Sequence, residues 1–262
     1  MNLSEEQSKF VEIARKGKNI LVDACIGSGK TTAIQALCKE LPRDKKILYL
    51  TYNKLLKIDA KSKIHEKNVL VTNYHGFAYM YLIRMGVKAG ISDLIQKFID
   101  TKPNIAPYDV LIIDEYQDIE LELAELLKMV KAANPKIQII AVGDMQQKIY
   151  DKTTLNVSEF INKFLDDYVL LEFTRCFRLS SELAARLGRI WNKPIIGVNS
   201  ECRVERMNID QVVEFLAQQE PEDLLCLGSR NGDLSKTLNR LEEEYPVIYN
   251  KATVYASISD SD

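Results

Sequence analysis

Ala24-Cys25-Ile26-Gly27-Ser28-Gly29-Lys30-Thr31 follows the apolar run Asn19 to Val22 and opens a segment of helical periodicity. A loop between a buried strand and a helix N-terminus aims backbone N–H groups at whatever fills it, which makes it a cradle for phosphate. Gly27 and Gly29 stand where the backbone must come close to an anion. Lys30 is placed to reach β- and γ-phosphates, and the Thr31 hydroxyl to ligate Mg²⁺. Ala24, Gly27, Ser28, Gly29, Lys30, Thr31 and Thr32 form the nucleotide-binding set of this loop. Further on, Ile112-Ile113-Asp114-Glu115-Tyr116-Gln117-Asp118 puts two adjacent carboxylates at the end of another apolar run. There Asp114 can hold Mg²⁺ while Glu115 orients a water for attack on a γ-phosphate. The two segments, in this order, predict an ATP- or GTP-hydrolysing domain.

The chain has 262 residues, enough to bury a sizeable core. Its net charge of -2 leaves no global basic footprint, so any strand-binding surface has to be local. The 5 cysteines are scattered without metal-type pairing, which suits a reducing compartment. Cys25, inside the phosphate loop, reads as a small filler side chain rather than a thiolate. Met1 to Glu6 has no basic region followed by an apolar one, and no run approaches the roughly 20 apolar residues of a membrane span. A cytoplasmic setting without a membrane partner is therefore expected.

Short β-branched runs predict strands at 19–24, 46–51, 68–72, 110–114, 137–143 and 168–173. Helical patterns cover 31–41 and 119–133. Strands this continuously apolar suit a parallel sheet covered on both faces. The expected fold is thus α/β, a doubly wound parallel sheet of the P-loop NTPase (RecA-like) kind. The pattern restarts at Tyr168, with a helix over 180–191, an apolar run at 224–228, a helical stretch to about 243 and a strand at 246–249. This divides the chain into an α/β nucleotide-binding domain over 1–167 and a second, unfinished α/β unit over 168–262.

Further segments give the chain a resemblance to superfamily 1 helicases of the UvrD/Rep/PcrA type. The phosphate loop matches that family's A-x-x-G-S-G-K-T, and Asp114-Glu115-Tyr116-Gln117-Asp118 is similar to its acidic signature. Leu3-Ser4-Glu5-Glu6-Gln7 resembles the motif whose glutamine meets the adenine edge. Thr51-Tyr52-Asn53-Lys54 and Thr72-Asn73-Tyr74-His75-Gly76-Phe77-Ala78 resemble strand-binding motifs. Val142-Gly143-Asp144-Met145-Gln146-Gln147-Lys148-Ile149-Tyr150 resembles G-D-x-x-Q-S-I-Y, and Cys176-Phe177-Arg178 resembles N-Y-R.

The resemblance implies an ATP-dependent motor on single-stranded DNA, with RNA as the alternative: 1–167 as the first motor domain, with a short helical insert at about 79–107 (largely 82–99), and 168–262 as the incomplete second motor domain. ATP and Mg²⁺ are the implied cofactors. Lys30, Glu115, Gln147 and Arg178 carry the implied catalysis, Gln7 joins the nucleotide set, and Thr31 and Asp114 hold the metal. Tyr52, Asn53, Lys54, Tyr74, His75, Phe77 and Tyr150 would face the strand, where aromatic platforms suit unspecific base stacking. Asp151-Lys152-Thr153-Thr154 replaces the family's next stacking aromatic, and Lys148 replaces its serine. The last two family motifs have no counterpart in the sequence, so the rest of the second motor domain is expected from a longer chain. This chain alone is expected to bind nucleotide, hydrolyse it slowly and not unwind duplex. A nucleotide-switched regulatory module is the other reading.

Overall fold

The computed structural model describes residues 2–148, 154–220, 224–227 and 232–245. They form two compact units, Met1–Cys202 and Arg203–Asp262. The first unit is built on β1 (Asn19–Ala24), β2 (Ile47–Thr51), β3 (Val69–Asn73), β4 (Val110–Asp114), β5 (Gln138–Gly143) and β6 (Tyr168–Phe173). They lie in the order β3-β2-β4-β5-β1-β6, and every ladder is parallel. Seven helices wind around them: α1 (Glu5–Arg15), α2 (Lys30–Glu40), α3 (Lys54–Lys63), α4 (Tyr74–Arg84), α5 (Leu94–Thr101), α6 (Leu121–Ala133) and α7 (Val157–Leu165).

Every residue of β2, β4 and β5 is buried. Alternate side chains enter two separate cores. Ile47, Tyr49, Val110, Ile112 and Ile140 pack with Phe10, Ile34 and Ala60 of α1, α2 and α3. Leu48, Leu50, Leu111, Ile113 and Ile139 pack with Phe77, Phe98, Leu127 and Phe160 of α4, α5, α6 and α7. Burial on both faces is why these strands read as continuous apolar runs. The doubly wound parallel sheet is borne out.

Because all six strands run the same way, their C-terminal ends share one edge, the edge where α/β sheets hold ligands. The phosphate loop follows β1 there, Asn53 stands two residues past β2, Tyr74 follows β3, Glu115 follows β4, Asp144 follows β5 and Thr174 follows β6.

Three expectations change. Tyr168–Phe173, expected to open a second domain, is the outer strand of the first sheet, laddered to β1 from Asn19↔Tyr168 to Ala24↔Phe173. The compact division accordingly falls after Cys202 rather than after 167. The insert is two helices rather than one stretch over 82–99. Helix α4 starts at Tyr74, straight off β3, and Gly86 (φ 70°) lies in the break before α5. Ile119 precedes α6 and is buried in the core.

Beyond β6, the two-residue strands β7 (Arg175–Cys176) and β8 (Ile196–Gly197) pair in parallel around α8 (Ser181–Trp191), whose N-cap Ser180 accepts from Leu183 N. The second unit holds α9 (Ile209–Ala217) and α10 (Asp233–Glu244), with Val213 and Leu216 packed with Leu241. Among its described residues there is no strand: 224–227 is irregular and exposes Leu225 and Leu227. The strand expected at 246–249 lies outside the described residues.

Candidate active site

The phosphate loop is held from below by the first turn of α1. Ser4 and Gln7 form a capping box, Ser4 Oγ accepting from Gln7 N and Gln7 Oε1 from Ser4 N. The same Gln7 amide donates through Nε2 to Ser28 O (3.0 Å) and Gly29 O (3.3 Å). The Gln7 amide, which the resemblance places at an adenine edge, here spans Ser4 and the loop carbonyls and braces the loop. Its neighbour Glu6 accepts from Thr174 N (3.1 Å), Thr174 Oγ1 (2.6 Å) and Arg175 N (3.3 Å), tying the end of β6 to the same turn.

Gly27 and Gly29 both have positive φ (64° and 76°), and a Cβ on either would fall within 2.7 Å of its neighbours, Arg178 Cβ and Gln7 Nε2 respectively. The chain therefore needs glycine at both positions. Gly29 caps α2 without a side-chain hydrogen bond, which leaves the first-turn amides of α2 for a ligand. Ser28 Oγ is buried and has no hydrogen-bond partner among the described residues. An orphaned hydroxyl beside uncapped amides is the setting a phosphate group fits.

Opposite the loop, Asp114 is buried at the end of β4. Its Oδ2 accepts from the fully buried Tyr49 hydroxyl (2.7 Å) and its Oδ1 from Glu115 N (3.1 Å). Burial, reinforced by the charge of Glu115, lifts the Asp114 carboxyl to about 6 against the pull of Tyr49 and Lys30. A hard cation would relieve that carboxylate, and together with the Thr31 hydroxyl it offers the oxygen donors that Mg²⁺ prefers. Glu115 adopts the left-handed conformation (φ 53°, ψ 53°), costly for a residue with a Cβ and frequent at functional sites. Its carboxylate lies 3.2 Å from Lys30 Nζ and accepts from Gln117 Nε2 at 2.9 Å.

From Gln117 the network continues: Gln117 Oε1 accepts from Asp144 N (3.0 Å). Asp144, fully buried, accepts from Gln147 Nε2 (2.7 Å), Gln146 N (3.1 Å) and Lys193 Nζ (2.8 Å). Lys193 also donates to Asp23 Oδ1 (2.6 Å) and Ala24 O (3.0 Å) at the root of the phosphate loop. Burial opposes its charge, but hydrogen bonds and charge from Asp144 and Asp23 outweigh it and raise its pKa above the usual lysine value.

The expected set is thus brought together in part. Lys30, Glu115, Asp114, Gln147 and the loop share one network or one edge. Arg178 is exposed beside Gly27, where Phe177 N donates to Gly27 O (2.9 Å). Cys25 is buried, and burial with the nearby Cys176 pushes its thiol up to about 12, so the filler reading stands.

Tyr74 and Phe77 are corrected as stacking candidates. Both are core residues, Phe77 packed on Tyr81 and Phe98 with centroids 5.0 and 5.8 Å apart, and a buried ring offers a base no face. Tyr52 is half-buried; Asn53, Lys54 and His75 are exposed, Asn53 also capping α3 through Leu56 N. Tyr150 lies outside the described residues.

Tyr49, Glu6 and Lys193 were not anticipated from the sequence. A tyrosine inside an apolar strand does signal a buried hydroxyl that needs a partner. Nothing local marks Lys193.

The AAA domain family matches residues 7–153, more than half of the chain. That span includes the phosphate loop and the acidic strand end on which the resemblance to superfamily 1 helicases rests. No curated protein matches. Similar solved structures include a Pif1 helicase from Candida albicans, 19% identical, TM-score 0.46, covering 73% of this chain and 44% of that one. Another is a Pif1 helicase from Bacteroides in complex with ADP-AlF3 and ssDNA, 17% identical, TM-score 0.47, covering 88% and 52%. The chain therefore spans about half the length of those proteins.

Proposed function

Since the chain belongs to the AAA domain family, we propose that it is the ATP-binding and ATP-hydrolysing part of a DNA helicase or single-strand translocase. The observation carrying this reading is the ion pair of Lys30 with Glu115 (3.2 Å), set between the phosphate loop and the buried Asp114. It joins the phosphate-binding cation to the water-orienting carboxylate with no other residue intervening.

Lys30 would exchange Glu115 for the β- and γ-phosphate oxygens of ATP. Glu115, released but still held by Gln117, would orient a water toward the γ-phosphorus. Gln147 and Arg178 would add donors to the charge that develops on the transferred group. Mg²⁺, held by Thr31 and Asp114, supplies neutralising charge at the phosphate oxygens when bound. The strand would lie across the exposed residues after β2 and β3, namely Asn53, Lys54 and His75, with Tyr52 beside them.

The test compares ATP turnover of the chain and of Lys30→Ala, with and without single-stranded DNA. Slow turnover that Lys30→Ala abolishes and DNA raises is expected. Turnover equal in the two proteins overturns the hydrolase reading, and stimulation by RNA alone overturns the DNA assignment.

A further inference from the structure

The segment after Arg178 returns to the site at a second point. Helix α8 is pinned at its entrance, where Phe177 N donates to Gly27 O (2.9 Å), and again at its exit through Lys193. The exit is built for this. Asn192 takes the left-handed conformation (φ 48°, ψ 47°), and Lys193 N donates back to Gly188 O at 3.0 Å. A Cβ on Gly188 would stand 2.7 Å from Lys193 O, so only glycine lets the turn fold this closely onto the helix. The Lys193 side chain, 9% exposed, then spends its three N–H donors on Asp23, Ala24 O and Asp144.

We propose that Lys193 is a positioning residue that fixes Asp144, and through it the Gln147 amide, against the root of the phosphate loop. This rests on the ATPase reading above. Asp144 divides its oxygens: Oδ1 takes Lys193 and Gln146 N, while Oδ2 takes Gln147 Nε2. With Oδ1 clamped, the carboxylate plane is set, and the direction of the Gln147 amide is set with it. Asp144 N is meanwhile held by Gln117, which also holds Glu115. Lys193 therefore ties the water-orienting carboxylate, the γ-phosphate-facing glutamine and the Arg178-bearing segment into one frame. Without its ammonium, the fully buried carboxylate loses the cation that holds Oδ1 and with it the constraint on its orientation.

The test uses the full chain carrying Lys193→Met, with Lys193→Arg as the conservative variant and Lys193→Gln as the second variant should Met prevent folding. Steady-state ATP turnover, affinity for a fluorescent ADP analogue and hydrogen exchange at the Gln146 and Gln147 amides are measured. In Lys193→Met, kcat is expected to fall roughly 10- to 100-fold, the effect of displacing a group that acts on the reacting atoms. ADP affinity stays within about threefold, because Lys193 meets the loop at the Ala24 carbonyl and not at its phosphate-facing N–H groups, and the Gln146 and Gln147 amides exchange faster while β3 does not. Lys193→Arg recovers most of both.

Wild-type turnover in a folded Lys193→Met protein overturns the proposal, as does a parallel loss of ADP affinity or unchanged exchange at 146 and 147. If the unmodified chain turns over ATP no faster than Lys30→Ala, the ATPase reading fails, and the exchange measurement, which needs no turnover, decides the tether by itself.

Discussion

Asp118 closes the acidic segment in the short turn 116–118, where burial, and secondarily the charge of Glu115, lifts its carboxyl from 3.8 to about 6. Between those two values the folded protein holds a proton that the unfolded chain has released. Stability is therefore highest at the acidic end of the window, falls as pH rises through about 6, and stays lowered above it. In urea titrations without nucleotide, the unfolding midpoint should rise as pH is taken from 7.5 to 5.5. Asp118→Asn should raise the midpoint at pH 7.5 and remove this part of the slope. An unchanged slope in Asp118→Asn would mean that other groups carry it. The residue scale also shows why motif reading has a ceiling. Gln117 was visible only as a letter in a signature, yet it bonds both Glu115 and Asp144. Gln7 was in view, but its partners 21 and 22 residues away, which assign its amide to the loop, were not.

Helix α4 separates two jobs that the sequence placed side by side. Asn73 caps it through Gly76 N, His75 is exposed in its first turn, and Phe77 is buried against Tyr81 and Phe98. Residues two apart on a helix point to different sides, so one of the pair can meet the strand while the other joins α4 to α5. Phe77→Ala should cost about 3–5 kcal/mol of stability in urea unfolding, as for a large aromatic lost from a core. His75→Ala should stay within about 0.5 kcal/mol while weakening single-strand binding in a titration. If Phe77→Ala leaves stability intact and lowers strand affinity, the ring is not core. Period and composition made the elements legible, since strands 19–24, 110–114 and 168–173 match residue for residue. Which aromatics enter the core was not legible, because that is fixed by where α5 lands on α4, a contact that neither helix's pattern contains.

At the scale of the molecule, parallel topology explains why a site scattered over 3–178 in sequence gathers at one edge, and it also explains the misplaced boundary. An outer strand that returns beside β1 completes the sheet whatever follows it, so a restart in pattern at Tyr168 marked a new strand and not a new unit. On the proposed function, the same edge is where the chain would meet nucleic acid. A net charge of -2 gives little long-range attraction, so the proposed strand binding would come from a few local cations. Lys54 opens α3, and the Lys57 ammonium stands 3.9 Å from where a Cβ on Gly76 would be, which puts it over the start of α4. Each phosphate neutralised on a single strand contributes about -0.7 to the slope of log K against log salt. Anisotropy titrations of a labelled oligonucleotide between about 50 and 200 mM salt should give a shallow slope, roughly -2 to -3. Lys54→Ala/Lys57→Ala should flatten it by about 1.4 and weaken binding alike for every oligonucleotide sequence, since phosphate contacts carry no base information. A slope unchanged in the double variant would take the N-terminus of α3 out of the interface, and a loss confined to one sequence would mean that these lysines read bases.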